Sequence, residues 1–166
     1  MEPLYHQAVT SREAERGGKL LALDASRPDA REVLAEGLEQ PMGLVRRGSE
    51  WFVSESAAGR VSALGATGAR RVVVEGLQQP EGLAFMPDGR LAVAETGSGR
   101  VLLVDTATGE RETIARGLPF GIADAPGAPA GMIPTGVAVD AAGTVYLSSD
   151  RESSLLRLRA PGTAAP

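Results

Sequence analysis

The side chains able to do chemistry are few and stand at matched places along the chain. Glu55 and Glu95 each close a short apolar run, and Glu81 sits between Pro80 and Gly82. Carboxylate oxygens are hard donors suited to a divalent cation such as Ca²⁺. A cation held by Glu81, with Glu95 and Glu55, would polarise a substrate carbonyl. Met42, Thr135 and Asp150 occupy corresponding positions and complete the candidate ligand-binding set. Met42 argues against a metal there, since a thioether is a soft donor. A plainer account pairs Glu55 with Arg60 and Glu95 with Arg100 as hydrophilic residues around a wet opening. Catalytic residues are left unassigned.

Other chemistries lack their residues. There is no Cys, which removes disulfides, thiolate metal sites and cysteine nucleophiles. The single histidine, His6, lies near the beginning of the sequence, so no Ser-His-Asp set has a credible base. Thr96-Gly97-Ser98-Gly99 mimics a nucleophile elbow, but it falls between two strand-like runs. No helix follows it, which also excludes a phosphate loop.

The elements that position these residues form an internal repeat. Pro41-Met42-Gly43-Leu44 returns as Pro80-Glu81-Gly82-Leu83 after 39 residues, and as Pro134-Thr135-Gly136-Val137 after a further 54. The middle copy is the clearest. Gly82–Phe85 reads as a strand, Pro87-Asp88-Gly89 as a tight turn and Leu91–Ala94 as the returning strand. Val101–Val104 and Glu112–Ala115 supply a third and a fourth, with turn residues between. Upstream, Lys19–Asp24 and Glu32–Ala35 match the third and fourth strands, and Leu4–Val9 a second. No segment carries a helical apolar stripe.

About fourteen short strands, in repeats near forty residues, predict an all-β fold: a partial β-propeller of about 3.5 four-stranded antiparallel blades. The expected organisation is a partial blade over 1–40, blades over 41–79 and 80–118, an inserted loop over 119–133, a partial blade over 134–159 and a disordered tail over 160–166. With the Pro-x-Gly strand innermost, Met42, Glu81 and Thr135 gather with Glu55, Glu95 and Ser149 or Asp150 at one mouth of a central channel. Terminal partial blades expose sheet edges, which invites self-association or completion of the ring by missing blades.

Residues 80–95 and 134–149 resemble the repeat units of NHL, gluconolactonase (SMP-30) and strictosidine-synthase-like propellers. The middle copy, with Gly99-Arg100-Val101, also looks like a blade of PQQ-dependent sorbosone dehydrogenases. The likeness spans roughly residues 19 to 159. It implies a six-bladed-type propeller and, for gluconolactonase-like members, a metal-binding Asn or Asp at the middle position of Pro-x-Gly. Here that position holds Met42, Glu81 and Thr135. It further implies a metal-dependent sugar-lactone hydrolase, or a remnant of a PQQ sugar dehydrogenase, as alternatives to a binding module.

Composition narrows the partners. A net charge of −4 and scattered Arg argue against nucleic acid. No apolar run approaches the eighteen or so residues that span a bilayer. No signal peptide is visible, so a cytoplasmic location is the default expectation. Six aromatic residues are too few for a stacking platform. The function expected is a non-enzymatic binding or scaffold module, taking a small molecule or protein at the channel mouth and the inserted loop.

Overall fold

The computed structural model describes residues 5–9, 17–24, 26–65, 68–120 and 135–159, without the side chains of 5–9 and of Pro28. Among these residues, fourteen strands form four antiparallel meanders. The first sheet is β1 (Tyr5–Val9), β2 (Gly18–Asp24) and β3 (Arg27–Leu38). The second is β4 (Pro41–Arg47), β5 (Glu50–Glu55), β6 (Arg60–Leu64) and β7 (Arg70–Glu75). The third is β8 (Pro80–Phe85), β9 (Leu91–Glu95), β10 (Arg100–Val104) and β11 (Arg111–Ala115). The last is β12 (Val137–Val139), β13 (Val145–Ser149) and β14 (Ser154–Leu158). A single 3₁₀ turn, Thr96–Ser98, follows β9. No helix among the described residues is long and apolar enough to cross a membrane.

The sheets follow one another as blades, with β4, β8 and β12 side by side and β1 beside β4. The chain is thus a partial β-propeller. β3 is longer than the Glu32–Ala35 strand expected. It starts directly after a tight turn in which Asp24 accepts hydrogen bonds from the Ser26 amide and hydroxyl and from Arg27. Bulges along the β2–β3 ladder absorb the extra length. Most of the inserted loop expected over 119–133 and the whole tail over 160–166 lie outside the described residues.

The core lies between sheets. Strand periodicity of two sends Leu91 and Val93 toward the second sheet and Ala92 and Ala94 toward the last. Because both faces are covered, β9 reads as a continuous apolar run rather than an alternating one. Phe52 of β5, Val61 of β6 and Leu102 of β10 pack in the first interface. Phe52 also meets Phe85 edge to face, with ring centroids 5.1 Å apart and planes at 87°. Val101, Leu103, Val145 and Leu147 pack in the second interface.

The glycine of Pro-x-Gly is fixed by that packing. A Cβ on Gly43 would stand 2.2 Å from the Glu81 carbonyl oxygen, and one on Gly82 would stand 2.3 Å from the Thr135 carbonyl oxygen. Neither glycine has a positive φ, so the requirement is space and not backbone conformation. The neighbouring atom is main chain, which cannot swing aside as a side chain would. Gly43→Ala and Gly82→Ala are each expected to cost about 1–3 kcal/mol, seen as a lower urea midpoint with an unchanged slope.

Candidate functional site

The Pro residues that open β4 and β8 set the geometry of the candidate end. Pro41 lies across the ladder from Glu55, and Pro80 from Glu95, each followed by a bulge. Both glutamates are fully buried. Each closes the loop that enters its own sheet: the Glu39 amide donates to Glu55 at 2.9 Å, and the Gln78 amide to Glu95 at 2.7 Å. The next residues, Gln40 and Gln79, adopt φ of 52° and 49°, a left-handed conformation uncommon outside glycine. The buried carboxylate therefore anchors a strained entry to the inner strand.

Arginines neutralise both groups. Arg60 reaches Glu55 at 2.9 Å, Arg70 pairs with it from the outer strand, and the Ser62 hydroxyl also donates to it. Arg100 and Ser98 donate to Glu95. Burial is the largest single influence on Glu55 and opposes its ionisation. The donors from Arg60, Ser62, the Glu39 amide and Arg70 together outweigh it and hold the carboxyl at about 2. Burial is likewise the largest influence on Glu95, and Arg100, Ser98 and the Gln78 amide outweigh it, so its pKa is lowered.

The last sheet departs from this arrangement in three coordinated ways. Ser149 stands where the other sheets have Glu55 and Glu95, and Ser154 replaces Arg60 and Arg100 across the ladder. The third change is in the entering loop, where Pro119 corresponds to Glu39 and Gln78. Proline has no N–H to offer a carboxylate. It offers only its carbonyl, and the Ser149 hydroxyl donates to that oxygen at 2.5 Å. A hydroxyl donor at this position thus suits a loop that offers a carbonyl, as the carboxylates of Glu55 and Glu95 suit loops that offer an amide. The Ser154 hydroxyl is buried without a hydrogen-bond partner among the described residues.

Glu81 has different surroundings. It is 4 % exposed at the seam between β8 and the last sheet. The Thr135 amide donates to one carboxyl oxygen at 2.7 Å, and the Thr96 hydroxyl to the other at 3.1 Å. Among the described residues, the groups that most shift its ionisation include no arginine. Burial raises its pKa, the Thr135 and Thr96 donors pull the other way, and the nearby negative charge of Asp150 raises it further. The structure thus gathers Glu81, Thr96, Thr135 and Asp150, whereas Glu55 and Glu95 each sit in an ion-paired anchor. Met42, half-buried, holds the matching position on β4. Among the described residues, no three His, Cys, Asp or Glu side chains gather closely enough to hold a metal ion.

Two hollows went unanticipated in the sequence. One, of 560 Å³, lies beside Thr96–Gly99, with Leu118, Phe120, Arg151 and Glu152 on its walls. The other, of 420 Å³, lies between the third and last sheets, with Met86, Leu103, Ile114 and Leu158 below a rim that includes Arg90 and Glu112. Both depend on how adjacent sheets are spaced, which no single repeat reveals.

The opposite shifts of Glu55 and Glu81 give opposite pH dependence. Glu55, lowered in the folded state, contributes stability that is present above its ordinary value of 4.5 and lost as pH falls toward about 2. Glu81, raised in the folded state, contributes stability that is full below 4.5 and lost as pH rises through its folded value. Thermal unfolding at pH 7 should therefore show Glu55→Gln destabilised, by about 2–3 kcal/mol as a broken buried pair with half-exposed partners. Glu81→Gln should unfold at or above the parent temperature at pH 7, and the gap should close below pH 4.5.

No family model matches the chain, and no curated protein matches it in sequence. Solved structures match in fold. Virginiamycin B lyase from Staphylococcus aureus aligns with a TM-score of 0.58 at 12% identity, over 95% of this chain and 53% of its own. An auxiliary nutrient binding protein from Bacteroides thetaiotaomicron aligns with a TM-score of 0.62 at 14% identity, over 86% of this chain and 33% of its own. A chain of the nidogen/laminin complex aligns with a TM-score of 0.60 at 11% identity, over 91% of this chain and 62% of its own. These are β-propeller proteins, and the present chain spans between a third and two thirds of their length. At such identity the likeness is one of fold, and the fold it supports is the partial propeller.

Proposed function

We propose that the chain is a non-enzymatic binding or scaffold module of the NHL/gluconolactonase-like propeller type. Its ligand or protein partner would meet the end where Glu81, Thr135 and Asp150 gather beside the 560 Å³ hollow. The observation that carries this reading is the commitment of Glu55 and Glu95. Each is fully buried, neutralised by arginine and bonded to a loop amide. Two of the three carboxylates that a hydrolytic metal centre would draw on therefore hold the scaffold together. The hollow, with Arg151 and Glu152 on one wall and Leu118 and Phe120 on another, suits a ligand with both polar and apolar parts. A fold shared with a lyase, a nutrient-binding protein and a member of a protein complex cannot choose among these activities by itself.

A second reading rests on one specific feature. Glu81 is buried, has no arginine among the described residues that most shift its ionisation, and feels the charge of Asp150. A divalent cation placed between the two carboxyls would relieve both burdens, and it would favour the metal-dependent lactone hydrolase. Calorimetric titration with Ca²⁺ and with Zn²⁺ separates the two readings. The binding-module reading expects no stoichiometric uptake by the parent protein. Stoichiometric uptake that disappears in Glu81→Gln would overturn it in favour of the hydrolase.

A further inference from the structure

The interface between the second and third sheets has a design that the outward face of the last sheet repeats uncovered. At the interface of the third and last sheets Gly82 keeps the close approach, but Ala94 stands where Ser54 does. In the second sheet, the Gly43 amide donates to the Ser54 hydroxyl at 2.7 Å, and that hydroxyl donates onward to the Glu81 carbonyl at 2.6 Å. Gly43 leaves room for the same carbonyl. Around this contact, Phe52, Val61 and Ala63 are buried under the third sheet. The ladders place Tyr146 where Phe52 stands, Ser148 where Ser54 stands and Leu155 where Val61 stands. Gly136 takes the place of Gly43.

The polar half of the device is already assembled. The Gly136 amide donates to the Ser148 hydroxyl at 2.7 Å, matching the Gly43–Ser54 distance. The Ser148 hydroxyl has no acceptor among the described residues. A Cβ on Gly136 would meet only the Ser148 hydroxyl, at 3.4 Å, with no described carbonyl in the way. The apolar half is uncovered: Leu155 is 83% exposed and Tyr146 38%, whereas Val61 and Phe52 at the same positions are 0% and 1%. The propellers that share this fold continue well beyond the region the chain matches, since it covers 53% and 62% of two of them.

We infer that the outward face of the last sheet is a docking surface for one further propeller blade. That blade presents an inner strand of the Pro-x-Gly kind, whose middle residue offers its backbone carbonyl to the Ser148 hydroxyl across Gly136. Its branched apolar side chains cover Tyr146 and Leu155, as those of β8, β9 and β10 cover Phe52 and Val61. The three Pro-x-Gly strands of this chain lie within its own sheets, so a separate blade must supply the carbonyl. This inference is independent of any ligand at Glu81.

The test uses the full chain and a version lengthened after Pro166 by copies of residues 109–118 and then 78–118. These supply an outer strand for the last sheet and one further blade. Since the sequence has no Cys, Leu155→Cys creates a unique thiol. Its maleimide labelling is expected to slow at least tenfold in the lengthened protein, and equal rates in the two proteins overturn the proposal. Gly136→Ala is expected to leave the melting temperature of the original chain unchanged and to lower that of the lengthened one by about 5 °C. A loss in the original chain as large as that of Gly43→Ala would show the face already covered and overturns it. Labelling of the original chain that slows as its concentration rises would assign the face to a second copy, and overturns it equally.

Discussion

The close approach of one inner strand to the next is the constraint on which the rest depends. At Gly43 and Gly82 the following sheet's backbone comes so near that no side chain fits. That proximity sets the spacing of the sheets. The spacing in turn fixes which side chains fill the interface: Phe52 and Phe85 on one side of the third sheet, small residues such as Ala92 and Ala94 on the other. Interiors packed to crystal-like density leave little tolerance for a change at such a point.

The second layer of organisation is electrostatic. Burying a carboxylate is costly unless it is paired and hydrogen-bonded. Glu55 and Glu95 meet both conditions through arginines across the ladder and amides of the entry loops. They convert a left-handed glutamine before each proline into a fixed corner. In the last sheet the corner is made differently, because Pro119 has a carbonyl but no amide to give. Glu81 meets only half of the requirement. Among the described residues it has donors but no cationic partner, and burial penalises its ionisation. That imbalance, within a scaffold otherwise neutralised, is what singles out the Glu81 end as a place for a ligand.

Much of the architecture was legible beforehand. The Pro-x-Gly intervals and the turn residues between apolar runs located the sheets and the order of strands within them. The runs were short and bounded by glycine, proline and aspartate, so local chemistry sufficed. The length of β3 was less legible, since a tight Asp24–Ser26 turn and bulges do not show in apolar periodicity. The candidate residues could be read as positions of the repeat, but the burial of Glu81 against the last sheet could not. The sequence marks Glu55 and Glu95 by an arginine five residues on, and Glu81 carries no such mark. What it does not show is the partners of Glu81, Thr96 and Thr135, which lie 15 and 54 residues away.

The candidate carboxylates therefore stand differently at the end from where they began. The sequence by itself determined that Glu55 and Glu95 recur at one place of a strand repeat and that Glu81 shares its place with Met42 and Thr135, because each repeat carries its own turns and apolar runs locally. It also determined that Glu55 and Glu95 have an arginine five residues on, the distance that a tight two-strand connection brings across one ladder. Only the tertiary structure decided that Glu81 is buried between two sheets, with no such partner among the described residues. Only it decided that Tyr146, Ser148 and Leu155 form an uncovered copy of an interface buried elsewhere. Both are properties of how one sheet lies against the next, and contacts between sheets join residues too far apart along the chain for any local pattern to reveal.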